Sequence, residues 1–227
     1  MFMVITIDGP SASGKSSVAR SLAHSLSLSY LGTGYLFRAA AYVLYKNHPA
    51  VARTFTEAEL AALATLNYSS TDGVICITTE NHDITKSLQI MPEIDRCASL
   101  VGADCAVRQE LLKLFRAYGL QHQKPGIVAD GRDCGTVIFP KADIKFYLTA
   151  SPRVRAERVL ADPARHNDGK TLEQVEAAIA ERDIRDSTRA IAPLIPATDA
   201  YVLDNSTFSL EQTLQVMLAH VATVSVR

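Results

Sequence analysis

Gly9-Pro10-Ser11-Ala12-Ser13-Gly14-Lys15-Ser16, followed by Ser17, fills the pattern G-x-x-x-x-G-K-S/T. In such a loop the backbone N–H groups wrap phosphate oxygens, the lysine reaches the terminal phosphates, and the last hydroxyl is placed to ligate Mg2+. Two other stretches alternate guanidinium and carboxylate, Asp130-Gly131-Arg132-Asp133 and Arg182-Asp183-Ile184-Arg185-Asp186-Ser187-Thr188-Arg189. Guanidinium forks hold phosphates bidentately, and carboxylates accept from sugar hydroxyls or exocyclic amines, so the mixture suits a nucleotide better than a bare polyanion. The first stretch also suits a structural turn, and the second a solvated helix face laced by i,i+4 ion pairs.

The elements that must position these residues can be read from periodicity. Phe2 to Ile7 is a short apolar, β-branched run of the kind found in buried parallel strands. Behind the loop, Val18, Leu22 and Leu26 recur every four residues with Ala19 and Ala23 beside them, the stripe of an amphipathic helix. The loop therefore joins a strand end to a helix N-terminus, where unpaired amides and the helix dipole favour an anion. Gly126 to Ala129, Ile144 to Leu148 and Ala200 to Leu203 read as further strands, with a fifth through Ser29-Tyr30-Leu31. Helical patterns separate them, which predicts an α/β doubly wound parallel sheet with ligands at the carboxyl ends of its strands. From about residue 56 to 90 the texture changes. A short Ala/Leu helix precedes Asn67 to Ser70 and Val74 to Thr79, which flank Asp72-Gly73, a small inserted hairpin.

With 227 residues, 48% of them hydrophobic, the chain can bury one substantial core with a small inserted lobe. A net charge of -1 offers no basic field for a nucleic-acid polymer or an anionic membrane surface. Cys76, Cys97, Cys105 and Cys134 form no C-x-x-C pair and read as reduced packing residues, pointing to the cytoplasm. The first apolar run is too short for a signal peptide, and none approaches a membrane span.

A phosphate loop alone suits kinases, GTPases, ATP-driven machines and nucleotide-binding modules. No asparagine in the chain is followed by lysine, so the guanine-reading N-K-x-D motif is missing. Along nearly its whole length the chain resembles the bacterial cytidylate kinases, a nucleoside monophosphate kinase family of P-loop proteins. The likeness runs through IDGPSASGKSS, LGTGYLFR, CAS followed by VRQELL, IVADGRDCGTVIFP and ERDIRDSTRAIAPLIPA. It implies transfer of phosphate from ATP, with Mg2+, to CMP or dCMP by a monomer. It also implies a P-loop core over about 1–33, 126–151 and 171–227, a monophosphate-binding region with an insertion over about 34–125, and a lid over about 153–170. The alternative is a catalytically decayed nucleotide-binding module.

Carried onto this sequence, the resemblance makes Gly9 through Ser17 the ATP phosphate loop. It gives Arg38 and Arg132 the acceptor 5′-phosphate, Thr33, Arg108, Asp133 and Arg189 the cytosine, and Ser99, Arg182 and Asp186 the ribose. Lys15 and the lid-side Arg158 and Arg185, beside Arg155, would neutralise the transferring group. Ser16 would ligate Mg2+, with Asp130 reaching it through water. The expected lid stretch, Leu160 to Gly169, is polar and broken by Pro and Gly, as a hinged flap or an ordinary surface loop would be. The sequence departs from the family where Ala12 replaces glycine, Gly32 aspartate, Tyr35 alanine, Phe37 tyrosine, Gln89 arginine, and Cys134 a larger apolar residue.

Overall fold

The computed structural model describes residues 2–71, 74–91, 93–121, 125–162 and 169–225. In chain order the elements are β1 (Met3–Asp8), α1 (Lys15–Ser25), β2 (Ser29–Gly32), α2 (Thr33–Tyr45), α3 (Glu57–Ala62), β3 (Asn67–Thr71), β4 (Val74–Thr79) and β5 (His82–Asp83). There follow α4 (Ser87–Ile90), α5 (Ile94–Gly102), α6 (Cys105–Gln121), β6 (Gly126–Gly131), β7 (Ile144–Thr149), α7 (Pro152–Ala161), α8 (Leu172–Thr188), β8 (Tyr201–Asp204) and α9 (Leu210–Ser225).

The main sheet has the order β2-β6-β1-β7-β8, with every pairing parallel. The chain leaves β1 toward one edge of the sheet and later builds outward on the other side, so β1 marks the place where the strand order reverses and ligands collect. Register sets the site's floor. Asp8 lies opposite Gly131, and Gly32 opposite Asp130, which brings the carboxyl ends of β1, β2 and β6 to one level. The sequence reading ended β6 at Ala129; the ladder runs two residues further because Asp130 and Gly131 still pair with Ile7 and Asp8.

Two apolar layers enclose the sheet. Ile5 and Ile7 of β1 pack with Val18 and Leu22 of α1 and Met217 and Val221 of α9. The other layer joins α2, α5 and α6 to the inserted antiparallel sheet β3-β4-β5 through Leu36, Tyr45, Ile77, Val101, Leu111 and Phe115. A full core position of this kind loses about 2–5 kcal/mol when a large aliphatic side chain is cut to alanine. A third, small cluster of Ala156, Val175 and Ile179 holds α7 to α8.

Helix starts follow their caps. Thr56 with Glu59 opens α3 and Thr171 with Gln174 opens α8, both as reciprocal capping boxes. Ser151 caps α7, with Pro152 at its first position. Thus α7 covers the first part of the expected lid range, while residues 163–168 of that range lie outside the described residues. No helix among the described residues is long and apolar enough to cross a membrane.

Candidate active site

The loop from Gly9 to Ser16 is shaped by backbone that few residues tolerate. A Cβ on Gly9 would collide with the carbonyl oxygen of Leu148, so the loop leaves β1 pressed against β7. Ala12 stands at φ 60, in the left-handed region, where an L side chain costs about 1–2 kcal/mol. The departure from glycine at this position therefore stores some strain in the loop. Lys15 opens α1 and folds its ammonium back to donate to the Pro10 carbonyl at 2.7 Å. Burial holds its pKa well below the usual lysine range, the Arg132 charge adds to that, and Asp130 and Asp8 oppose it.

Asp130, at the end of β6, is the loop's partner. Its Oδ2 accepts from the Ser16 hydroxyl at 2.6 Å and its Oδ1 from the Tyr30 hydroxyl at 2.7 Å. A hydroxyl and a carboxylate so placed at the end of a phosphate loop are hard oxygen donors of the type Mg2+ takes, one directly and one through water. These residues fit that ion.

Asp8 is the second carboxylate at the strand ends. Its two oxygens accept from the backbone N–H groups of Cys134 at 2.8 Å and Gly135 at 2.7 Å. Burial pushes it up to about 6 although those two amides pull it back down. The amides begin a single π turn, Cys134–Ile138, a rare geometry often found at functional sites. Asp8 thereby ties the end of β1 to the segment that carries Arg132 and Asp133.

The proposed acceptor residues form two linked groups. In one, Arg38 of α2 meets Asp95 of α5 at 2.5 Å, Arg182 of α8 comes within 3.9 Å of the same carboxylate, and Arg132 donates to Asp186 of α8 at 3.0 Å. Ser99 stands one helical turn beyond Asp95 on α5, hence on the same face. In the other group, Asp133 is paired with Arg108, and Arg189 lies 3.8 Å away. Arg108 also donates to the Gly102 carbonyl at 3.0 Å and lies over the Phe37 ring. Burial pushes the Asp133 carboxyl up while Arg108 and Arg189 pull it down. Thr33 donates to the Asp130 backbone carbonyl at 2.8 Å, beside the Cys134 thiol.

On the lid side, Arg155 grips Asp183 with both Nη atoms, at 3.1 and 2.5 Å, and also donates to the Ser11 carbonyl at 3.2 Å. Arg158 donates to Asn205 Oδ1 at 3.0 Å and its carbonyl at 2.8 Å, and reaches the Ser13 carbonyl at 3.4 Å. Arg185 lies apart from these, on the exposed face of α8, paired with Glu181 at 3.0 Å.

Several contributors carry no motif. Tyr30, Asp95 and Asn205 were not singled out by sequence reasoning, and Asp8 appeared only as the residue before the loop. For Asp8 and Asn205 a signal existed, since each is a polar residue at the carboxyl end of a parallel strand. Asp95 sits in an ordinary helical stretch that gives none. Among the departures, Gly32 is explained by space. A Cβ there would stand 2.8 Å from the Tyr30 hydroxyl and 2.8 Å from Tyr35 Cδ2. The Gln89 side chain lies outside the described residues.

Comparison with known proteins bears on the whole chain. The family model described as Cytidylate kinase matches residues 5–223. The chain is 38% identical over 217 residues to the cytidylate kinase of Shigella sonnei strain Ss046, covering 96% of this chain and 94% of that one. The cytidylate kinase of Escherichia coli O1:K1 / APEC gives the same identity and coverage. Among solved structures, the shikimate kinase of Bacteroides thetaiotaomicron superposes with a TM-score of 0.50 at 9% identity, over 97% of this chain and 98% of that one. Shikimate kinase from Acinetobacter baumannii in complex with shikimate gives 0.50 at 13%, over 100% and 97%. At such identities these two speak for a P-loop kinase fold alone.

Proposed function

The chain belongs to the cytidylate kinase family, a phosphotransferase family that moves phosphate from ATP to CMP and dCMP, and on that premise we propose how its own residues divide the work. The observation that carries the proposal is the common level of the strand ends. Asp8, Gly32 and Asp130 lie at that level, next to the phosphate loop that follows β1 and to Arg132, which follows β6 and pairs with Asp186.

The acceptor of a monophosphate kinase is already a phosphate oxyanion near neutral pH, so no residue is needed to take a proton. One acceptor oxygen forms a bond to the γ-phosphorus as the bond to the β–γ bridging oxygen breaks, and that oxygen leaves as part of ADP. What the protein supplies is alignment and charge. Loop amides from Gly9 to Ser17 hold the donor phosphates, and Lys15 exchanges the Pro10 carbonyl for phosphate oxygen. Ser16, and Asp130 through water, would hold Mg2+, which would supply positive charge to the donor phosphates.

Arg38 and Arg132 hold the acceptor 5′-phosphate. Ser99, Arg182 and Asp186 meet the ribose. Thr33, Arg108, Asp133 and Arg189 meet cytosine, whose amine gives to a carboxylate and whose ring nitrogen and carbonyl accept from guanidinium. Arg158 and Arg185, with Arg155, neutralise the transferring group from the lid side. For Arg155 and Arg158 the support is their reach to the Ser11 and Ser13 carbonyls. Arg185 has to leave Glu181 to act. In this reading the core spans about 1–33, 126–151 and 171–227, the monophosphate region about 34–125 and the lid about 153–170, in a cytoplasmic monomer.

A coupled assay of ADP release, run with and without CMP, tests the reading. Release that requires CMP, and that falls with Arg132→Ala through a raised KM for CMP, is the expected result. Release indifferent to CMP would leave only a nucleotide hydrolase.

A further inference from the structure

Asp130 can serve the loop only if its carboxylate plane is held. One oxygen already accepts the hydrogen bond of the Ser16 hydroxyl, which leaves that hydroxyl's lone pairs turned away from Asp130. The other oxygen is fixed by the Tyr30 hydroxyl, and Tyr30 is itself buried, 3% exposed. The Tyr30 backbone is anchored in turn, because its carbonyl accepts from the hydroxyl of Tyr118 on α6 at 3.1 Å and from that of Tyr68 on β3 at 3.3 Å. Tyr68 also accepts from the Gly32 N–H at 3.1 Å. A continuous series of contacts thus runs from the inserted hairpin and α6, through Tyr30, to Asp130 and Ser16.

We propose that Tyr30 is a positioning residue for the metal end of the donor site. By holding one oxygen of Asp130 it aims the other at Ser16, and so raises the affinity for the divalent cation that accompanies the donor nucleotide. The inference rests on the assignment of Ser16 and Asp130 to that cation. Gly32 belongs to the same device. Because its missing side chain leaves the room that the Tyr30 hydroxyl and the Tyr35 ring occupy, a side chain there would push the phenol off Asp130.

The test measures Mn2+ binding in the presence of ADP by electron paramagnetic resonance, without turnover, in wild type, Tyr30→Phe, Asp130→Asn and the double variant. Loss of an outer partner of a metal ligand typically weakens the metal by about tenfold or more, so Tyr30→Phe should lower Mn2+ affinity about tenfold. The Mg2+ concentration for half-maximal turnover should rise in step, and KM for CMP at saturating Mg2+ should stay put. Asp130→Asn should weaken Mn2+ as well, and adding Tyr30→Phe to it should do nothing more, since the hydroxyl acts through that carboxylate. If Asp130→Asn weakens Mn2+ while Tyr30→Phe does not, the role of Tyr30 is overturned and the metal assignment survives. If neither matters, the metal assignment itself falls. A Tyr30→Phe loss that persists undiminished in the Asp130→Asn background also overturns the route proposed here. Tm separates out packing. A fall in Tm with Mn2+ affinity of the folded protein unchanged would give the hydroxyl a structural role alone.

Discussion

In the reading proposed above, the donor loop and the acceptor pocket would hold phosphate by different means. Between Gly9 and Ser16 the positive field comes from backbone amides, a helix N-terminus and one lysine, all contiguous in sequence. In the acceptor pocket it comes from guanidiniums on α2, α8 and the segment after β6, and Arg38, Arg132 and Arg182 all lie within 4 Å of a carboxylate. A backbone cradle is fixed by local geometry, with amides that no carboxylate has to release. A side-chain cradle is fixed by the tertiary fold, and an entering phosphate must compete with carboxylates already in place.

The largest expected effect strikes the donor side. Lys15→Met should lower kcat by about a thousandfold, the scale for loss of a charge aimed at developing negative charge. Because burial disfavours the Lys15 ammonium in the folded protein, Tm should stay level or rise. Near-normal turnover in this variant would break the comparison at its stronger end.

On the acceptor side, the next effect is on base choice. UMP presents a carbonyl where cytosine has its amine, so, if Asp133 meets the base as proposed, its carboxylate should discriminate by about a hundredfold or more in kcat/KM. Asp133→Asn should narrow the CMP/UMP ratio by that order, since the amide can donate to uracil. Asp133→Ala should narrow it too, with a Tm loss of several degrees because Arg108 is left buried without its partner. A ratio unmoved in both variants would remove Asp133 from the base while leaving the phosphate loop untouched.

A smaller effect sharpens the contrast. Asp95 competes for Arg38 and Arg182, and it is about half exposed. Asp95→Ala should lower KM for CMP by about threefold, with little change in stability, since such exposed pairs are worth about 0–1 kcal/mol. It should also steepen the dependence of that KM on salt. A raised KM would mean that Asp95 aligns the arginines rather than competing for them.

The smallest effect concerns Asp8. Its folded pKa, about 6, lies above the ordinary 3.8, so the folded protein binds the proton more tightly and this group's stabilising contribution fades as pH rises from about 4 to 6. Acidifying from pH 7 to pH 5 should therefore recover about 1 kcal/mol through Asp8. Thermal melts of wild type and Asp8→Asn should show that part of the pH dependence vanish in the variant. Equal pH slopes would place the Asp8 proton elsewhere.

Legibility in sequence follows the same division. The loop, its flanking strand and helix, the parallel sheet and the inserted hairpin follow from periodicity and a contiguous motif, and the structure contains them with small shifts at their ends. The carboxylates that partner the arginines were harder to see. Asp95 reaches Arg38 only because α5 lies along α2, and Asp8 reaches Cys134 only through a π turn that no local pattern announces. Tyr30 was read as one residue of a strand, and nothing in that strand says that its hydroxyl meets a carboxylate at position 130.

The contact between Gly32 and Tyr30 also has a historical side. A lineage that begins with this pair cannot gain a side chain at position 32 while the phenol stands in its path. Nor can it lose the phenol first without releasing Asp130. If Tyr30 positions Asp130 as proposed, each single step passes through a poorer enzyme, and because a Cβ at position 32 would also stand 2.8 Å from the Tyr35 ring, position 35 must change with the other two. Such a set behaves as a ratchet. Homologous sequences with a side chain at position 32 should then differ at positions 30 and 35 as well, and a transplant of one residue into a relative should fail where a transplant of all three succeeds.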